Sequence, residues 1–335
     1  MAQLSRLSGK NFLVIGRAGM DFYADPPGTH LADATRFTAA LGGSSANIAV
    51  GLVKLGCSAS LVTRVSQDAV GDFCLKQLAD YGVDPSFVMR QGGEARNSLA
   101  VVETRLENTQ SVIYRNGAAD FEMTHEDIQD IPYAQFSALV TTGTVLAAEP
   151  SRSATFQAFD MARTAGLPLV FDVDYRPYSW NSTQEASDVY SRAAALCDVV
   201  IGNDVEFDFM AGPGRNGLEK ARELIRTGTQ LVVYKMGEHG AITMTTDQEI
   251  HTGIFQTKAL KPTGAGDSFM AGFLAALAKG LPLRDAIHHG SAAAAIVVAR
   301  VGCAPAMPNA IELDDFLATA QITPFNGVKN AHSPL

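Results

Sequence analysis

The sequence predicts a three-layer α/β fold, in which a mostly parallel central sheet carries helices on both faces and a small β lid stands beside it. From residue 11 onward, short β-rich runs alternate with segments of helical periodicity, and this alternation indicates repeated βαβ crossovers. Two further β-rich runs, at 98–104 and 111–115, are separated only by a polar connection. They predict a β element apart from the main sheet.

Each predicted strand is a short run of apolar and β-branched residues, and each predicted helix has apolar residues three or four positions apart. The predicted strands are 12–15, 61–65, 138–142, 169–173, 198–201 and 231–236. The predicted helices lie near 48–55, 70–81, 152–165, 184–196, 217–227, 267–279 and 283–299.

We interpret residues 1–335 as a single domain with lid elements near 17–40 and 95–120. A lid over an active site is one interpretation of these elements, and an ordinary surface hairpin is the other. The sequence alone leaves both open.

Composition argues against several classes of protein. The formal net charge is −9 with no cluster of Lys and Arg, so we expect no nucleic-acid partner. No apolar run approaches the ~20 residues that cross a bilayer, and the N-terminus lacks the apolar core of a signal peptide. We therefore expect a cytoplasmic protein with no membrane partner. The four cysteines show no Cys-x-x-Cys spacing and are interpreted as buried thiols.

The strongest local signal is Lys-Pro-Thr-Gly-Ala-Gly-Asp at 261–267, which leads into an amphipathic run. Gly264, Ala265 and Gly266 allow a tight turn whose amides lie at a helix N-terminus, a place that attracts anions. Asp267 would be a base beside this anion site, as phosphoryl transfer to a hydroxyl requires. The alternative is a plain tight connection with Asp267 as a helix cap.

Three further motifs accompany this one. Leu-Gly-Gly-Ser-Ser-Ala-Asn at 41–47 opens the first long helix, Asn-Asp-Val-Glu occupies 203–206, and Lys-Met-Gly-Glu-His-Gly occupies 235–240. In order and spacing, the four motifs resemble those of the PfkB/ribokinase family of carbohydrate kinases, and the resemblance covers residues 11–318. It implies a ribokinase-like fold and an ATP-dependent sugar kinase.

The resemblance also implies a role for each motif. Residues 264–266 would form an anion hole for the γ-phosphoryl group, and Asp267 would take the proton of the attacking hydroxyl. Glu206 would hold Mg²⁺ through water with Asn203 beside it, whereas a helix capping box is the alternative for this pair. The nucleotide would contact Lys235, Gly237, Gly240 and Thr263. For the two glycines of that set, a hairpin turn is the alternative.

Sugar hydroxyls would be bound near the first long helix, since a polyol needs convergent donors and acceptors. The residues that the resemblance implies for this role are Asp21, Gly42, Gly43 and Asn47. A helix cap is the alternative for Asn47, and a simple turn is the alternative for the glycine pair.

Three stretches, 16–23, 171–180 and 260–262, resemble the branch of the family that phosphorylates the sugar acid 5-dehydro-2-deoxygluconate. Arginine binds carboxylates well through paired hydrogen bonds. Arg17, Arg115 and Arg176 are therefore candidate partners of the substrate carboxylate, and a structural ion pair is the alternative for each. 2-Dehydro-3-deoxygluconate is the alternative substrate, followed by ribose or fructose.

One position departs from the family pattern. Many members carry an acidic residue two places before the Thr of the 263–267 motif, where it helps to bind a monovalent cation, whereas this chain has Lys261. A cation there would face a like charge. We therefore expect no activation by potassium, and we hypothesise that Lys261 supplies the positive charge itself.

Two other classes of function are alternatives. A nicotinamide dehydrogenase is rejected because the glycine pattern at 16–19 is incomplete. A non-catalytic sugar- or nucleotide-binding protein on the same fold stays open, although Asp267 with its glycines intact favours the enzyme. The β-rich stretches at 98–115 predict a homodimer that pairs through the lid.

Overall fold

The computed structural model describes residues 4–326, and the two ends of the predicted domain, 1–3 and 327–335, lie outside the described residues. Thirteen strands occur in this part of the chain. They are β1 (Asn11–Ile15), β2 (Gly19–Ala24), β3 (Phe37–Gly42), β4 (Ser58–Ser66), β5 (Asp84–Gln91), β6 (Leu99–Val102), β7 (Ser111–Tyr114), β8 (Ala138–Thr142), β9 (Leu169–Asp172), β10 (Val199–Asn203), β11 (Leu231–Lys235), β12 (Ala241–Thr245) and β13 (Glu249–Thr252).

Nine α-helices lie within residues 4–326, together with short 3-10 turns. The helices are α1 (Ser44–Lys54), α2 (Ala69–Asp80), α3 (Ser151–Thr164), α4 (Thr183–Leu196), α5 (Asp204–Ala211), α6 (Gly217–Thr227), α7 (Ala265–Ala278), α8 (Leu283–Val298) and α9 (Ala310–Thr319). Each predicted helix and strand corresponds to one of these elements, with bounds that differ by a few residues.

The main sheet contains nine strands in the order β13-β12-β11-β10-β9-β8-β1-β4-β5. All pairs from β11 to β5 are parallel, as βαβ crossovers require. Strands β12 and β13 add an antiparallel extension at one edge. The predicted mostly parallel sheet is confirmed.

Helices cover both faces of this sheet, and the central strand β1 shows why. Phe12 and Val14 belong to one apolar core, whereas Leu13 and Ile15 belong to the other, because successive side chains of a strand point to opposite faces. Helices α1, α2, α7 and α8 contribute to the first core, and α3 to α6 contribute to the second. A strand that is buried on both faces has a continuous run of apolar residues, and this run is the pattern that predicted β1 from the sequence.

The lid is a separate four-stranded sheet in the order β3-β2-β6-β7. Its outer pairs are antiparallel, while β2 and β6 pair in parallel. The two lid elements predicted near 17–40 and 95–120 therefore form one sheet rather than an isolated surface hairpin. The ribokinase-like three-layer fold with a small β lid is confirmed.

Four elements were not predicted from the sequence, namely β5, α5, α9 and the hairpin of β12 and β13. Strand β5 lies at a sheet edge, and its side chains are exposed or only partly buried, so it shows no apolar run. Residues 237–240 join β11 to the antiparallel β12, so the hairpin turn that the sequence left open for Gly237 and Gly240 is present.

No helix among residues 4–326 is both long and apolar enough to cross a bilayer. The cytoplasmic location stays a prediction from the sequence.

Candidate active site

A cavity of about 410 Å³ lies between the lid and the carboxyl ends of the parallel strands. Asp172, Asn203 and Lys235, which end β9, β10 and β11, line one wall. Residues of β2, β6 and β7 of the lid line the opposite side, and the N-terminus of α7 closes the floor. Open α/β sheets bind ligands at this edge, where the loops after the strands diverge.

The floor is shaped by the glycine that precedes α7. Gly264 is the N-cap of the helix and adopts a left-handed conformation with φ of 86°. A β-carbon at this position would lie 2.9 Å from the Cys303 sulfur and 3.1 Å from a Val297 methyl group, so only glycine fits without a shift. The amides of 265–267 begin the helix and have no acceptor within it. They lie at the cavity, as an anion site requires.

Asp267 is the third residue of α7 and faces the cavity. Its Oδ2 accepts a hydrogen bond of 2.7 Å from Nδ2 of Asn47, which belongs to α1. Burial and the nearby Asp174 carboxylate raise the pKa of Asp267 to about 6, against the opposing effects of the Asn47 hydrogen bond, Arg176 and Lys235. A carboxylate with a pKa in this range is ionised at neutral pH and can still accept a proton readily.

The raised pKa of Asp267 predicts an acid limb in the pH profile. If the base must be ionised, kcat/KM should be level above about pH 7 and fall about tenfold per pH unit below pH 6, because the protonated carboxyl cannot accept another proton. The measurement is a steady-state pH profile of kcat/KM at fixed ionic strength. A profile that stays flat down to the usual pKa range of an exposed aspartate would contradict a base with this raised pKa.

Four further carboxylates line the cavity beside this base. Burial raises the pKa of Asp172 well above its usual range, with Asp174, Glu206 and Asp267 adding to the shift and Lys235 opposing it. Asp174 is buried and binds Arg176 with Oδ1 to Nη2 at 2.5 Å and the Ser44 hydroxyl at 2.6 Å. The site is therefore rich in negative charge and needs cations near it when a polyphosphate enters.

Asn203 and Glu206 form a helix capping box at the start of α5. Asn203 Oδ1 accepts from the Glu206 amide at 2.9 Å, and Glu206 Oε2 accepts from the Asn203 amide at 2.8 Å. The other Glu206 oxygen accepts from the Tyr175 amide at 3.2 Å. The cap alternative is thus present in the structure. Both residues also line the cavity, where the remaining lone pairs of Glu206 can accept from water.

All three predicted arginines line the cavity, and each already has a carboxylate neighbour. Arg17 lies 3.7 Å from Asp21 and donates to the Ser98 hydroxyl at 2.9 Å. Arg115 pairs with Asp120, donates to the Thr144 carbonyl and stacks on the Phe121 ring at 4.0 Å. Arg176 pairs with Asp174. The structural ion pairs that the sequence left open as alternatives are therefore present.

Asp21 and the glycine pair lie on the lid side of the cavity. Burial raises the pKa of Asp21, whereas Arg17 and the hydrogen bond from the Tyr23 hydroxyl lower it. The Oδ1 atom of Asp21 is buried without a hydrogen-bond partner among the described residues. Gly43 lines the cavity, whereas Gly42 lies beneath the Asp21 side chain, where any β-carbon would overlap that carboxylate. The structure gives Gly42 a packing role next to a cavity residue and no contact of its own with the cavity.

The residues predicted to contact the nucleotide line the same cavity. Gly240 has φ of 99° and turns the chain between β11 and β12. The Lys235 ammonium lies 5.5 Å from the centre of the Phe269 ring. Phe269 is one helical turn beyond the N-terminus of α7. Gly237 and Thr263 line the cavity as well.

Sequence reasoning missed several cavity residues. Asp172 and Asp174 lie in the stretch 171–180, from which we inferred only a resemblance to one branch of the family. An Asp-x-Asp pair at the end of a predicted strand also indicates a ligand site, because α/β sheets bind ligands at that edge. Ser44 and Tyr178 were also missed. Nothing in the local pattern singles out Ser44 from its neighbours in the glycine- and serine-rich turn.

A carboxylate beside a helix N-terminus, placed in a cavity between an α/β sheet and a lid, is the arrangement that phosphoryl transfer to a hydroxyl requires. The chain belongs to the pfkB family of carbohydrate kinases, whose model matches residues 10–310. It is accordingly an ATP-dependent carbohydrate kinase with a small-molecule sugar substrate.

Curated relatives cover most of the chain. A 5-dehydro-2-deoxygluconokinase of Photobacterium profundum is 40% identical over 314 residues, which is 92% of this chain and 95% of the relative. A 5-dehydro-2-deoxygluconokinase of Geobacillus kaustophilus is 36% identical, with 92% and 93% covered.

Solved structures share the fold. A fructokinase double mutant of Vibrio cholerae O395, solved with fructose, ADP and a potassium ion, superposes with a TM-score of 0.81 at 26% identity, covering 92% of this chain and 98% of the other. A fructokinase of Xylella fastidiosa with bound ATP has a TM-score of 0.83 at 23% identity, with 92% and 98% covered.

Proposed function

We propose that this kinase transfers the γ-phosphoryl group of ATP to a hydroxyl of 5-dehydro-2-deoxygluconate. The observation that carries the proposal is the convergence of three guanidinium groups on one cavity. Burial raises the pKa of the Tyr178 hydroxyl, and Arg176, Arg17 and Arg115 all lie close enough to oppose that shift. The names of the curated relatives support the same sugar acid.

The internal ion pairs of these arginines are compatible with binding a substrate carboxylate. A guanidinium group has five N–H donors, and one carboxylate uses at most two of them. Nε of Arg115 is buried without a hydrogen-bond partner within the described part of the chain. Such an unsatisfied buried donor is unfavourable, and because the atom is closed to solvent, a substrate anion would reach it only after a local shift of the lid.

In the proposed reaction, Asp267 accepts the proton of the attacking hydroxyl while Asn47 holds the carboxylate in position. The hydroxyl oxygen forms a bond to the γ-phosphorus, and the bond from that phosphorus to the oxygen bridging it to the β-phosphorus breaks, which releases ADP. The amides of 265–267 stabilise the negative charge on the equatorial oxygens of the phosphoryl group. Lys235 supplies positive charge on the nucleotide side.

The acidic residues of the cavity fit a magnesium ion held mainly by phosphate and water. No group of three or more His, Cys, Asp or Glu side chains is arranged to hold a metal ion within residues 4–326. Mg²⁺ commonly keeps several waters and takes only one or two protein carboxylates. Glu206 is our proposed partner, through water. The ion would neutralise part of the phosphate charge.

The experiment that tests the function is an ADP-release assay with purified protein over ketodeoxy sugar acids, hexoses and pentoses. We expect kcat/KM to be highest for 5-dehydro-2-deoxygluconate, ahead of 2-dehydro-3-deoxygluconate, ribose and fructose. Turnover that favours fructose or ribose would overturn the substrate assignment. Nucleotide binding without turnover of any sugar would favour the non-catalytic binder.

Arg176→Lys is the sharpest variant for the carboxylate assignment. Lysine keeps the positive charge beside Asp174 but lacks the planar guanidinium group that binds a carboxylate through two parallel hydrogen bonds. We therefore expect KM for the sugar acid to rise about tenfold, with a smaller change in kcat. Arg226→Lys on the exposed face of α6 is the matched control and should match the unchanged enzyme. An equal KM rise for a neutral sugar would show that Arg176 does not act on the carboxylate.

We also propose that the protein pairs through its lid as a homodimer. Phe37, Val112 and Tyr114 of the lid are 41%, 44% and 60% exposed, which supports an apolar surface available to a second lid. The mass in solution, measured by light scattering, tests this, and a monomer at all concentrations would refute it.

A further inference from the structure

Lys261 is a fully buried lysine whose ammonium group has no carboxylate partner among the described residues. Its side chain is completely inaccessible to solvent, and it lies two residues before Thr263 at the edge of the anion site. No carboxylate lies within 4 Å of its ammonium group among the described residues. A buried ammonium without a paired carboxylate is costly, so the position requires a compensating role.

The ammonium group binds the backbone of the anion loop. Nζ of Lys261 donates a hydrogen bond to the carbonyl of Thr263. That carbonyl belongs to the peptide unit that leads into Gly264, the left-handed N-cap of α7. The backbone amides of Leu260 and Lys261 are held in turn by the Val298 carbonyl at the end of α8, at 2.7 and 3.2 Å. Lys261 therefore ties the start of α7 to a fixed point of the core.

The acidic groups around Lys261 oppose the effect of burial on its ammonium group. Burial lowers the pKa of Lys261, whereas Cys303, Asp267 and Asp21 raise it. Burial also raises the pKa of the Cys303 thiol to about 11, so that group is uncharged at neutral pH. The remaining negative groups are the two carboxylates, one on the lid and one at the base position. A positive charge on Lys261 would offset both carboxylates without pairing with either.

We propose that Lys261 is a built-in cation of the anion site, which fixes the Thr263 carbonyl, lends positive charge to the loop and makes a free monovalent cation unnecessary. The inference deepens the proposed function and rests on it, because the loop matters only if it holds a phosphoryl group. Lys261 is a positioning residue in this scheme: it acts through the loop and touches neither substrate.

The test compares wild type with Lys261→Met and Lys261→Ala at fixed ionic strength, using tetramethylammonium chloride as the inert salt. Methionine fills the volume without the charge, whereas alanine leaves both a charge deficit and a space. Lys220→Met is the matched control, since Lys220 is also a mostly buried lysine but pairs with Glu223 on α6. The readouts are kcat, KM for both substrates, the melting temperature and the Kd of a non-hydrolysable ATP analogue.

We expect wild type to run equally fast in potassium and in tetramethylammonium. Lys261→Met should lose about 10²-fold in kcat, as expected when an oxyanion stabiliser is disturbed, and no added ion should restore it. Lys261→Ala should lose a similar factor and regain at least about tenfold in ammonium or methylammonium, because a small cation can enter the space.

Strong activation of wild type by potassium would overturn the inference, and so would a Lys261→Met variant with wild-type kcat. If the variants do not fold, the wild-type comparison still decides. The Kd of the ATP analogue separates the two proposals. A protein that binds the analogue tightly and independently of potassium, but phosphorylates no sugar, would refute the proposed function while leaving the role of Lys261 in place.

Discussion

Replacing Asp267 by asparagine should lower kcat by about 10²- to 10⁴-fold, the range that general base catalysis contributes. The amide has nearly the same size and can still meet Nδ2 of Asn47, but it cannot accept the proton of the attacking hydroxyl. KM and the Kd of ATP should change much less, because the anion loop and the cavity are preserved. The measurement is steady-state kinetics with a direct assay of nucleotide binding.

The chain offers a close control for this variant. Asp285 is the third residue of α8, as Asp267 is of α7, and it does not line the cavity. Asp285→Asn should therefore keep wild-type kcat. If Asp267→Asn retained wild-type turnover with an unchanged pH profile, Asp267 would not be the base.

Gly264→Ala should have the second largest effect. Alanine disfavours a φ of 86° by about 1–2 kcal/mol, and its methyl group would crowd the Cys303 sulfur. The loop must then shift, so the amides of 265–267 would no longer point to the same place. We expect kcat to fall by about 10²- to 10³-fold, as when one oxyanion donor is lost.

Gly280→Ala separates the backbone penalty from the loss of the anion site. Gly280 follows the same helix at its other end and has φ of 76°, and a β-carbon there would meet nothing within 4 Å. Both variants should lose some thermal stability, but only Gly264→Ala should lose turnover. Equal kinetic effects of the two variants would argue that the helix as a whole, and not its N-terminus, controls the reaction.

The fold was predictable because its periodic signals are strong. The central strands are buried on both faces and appear as apolar runs, as in 12–15 and 231–236, and the helices between them keep their apolar spacing. Strand β5 and the hairpin of β12 and β13 lie at sheet edges. At an edge, tertiary pairing decides the conformation and the local pattern is weak.

The cavity was predictable as a set of residues but not as a set of contacts. Every residue named for the site except Gly42 lines it, because glycine turns and helix starts are local features. The pairing of Arg115 with Asp120 and the bond from Asn47 to Asp267 depend on how distant segments pack. The burial of Lys261 also depends on how distant segments pack and could not be predicted, because a lysine in a loop is normally exposed to solvent.

The bond between Asn47 and Asp267 also links the proton acceptor to the cover of the cavity. Strand β3 of the lid ends at Gly42, and α1, which carries Asn47, begins at Ser44, so a single glycine joins the two. Any displacement of the lid is therefore transmitted within a few residues to the group that orients the carboxylate. Asn47 is thus connected to the lid by five residues of chain and to the proton acceptor by one hydrogen bond.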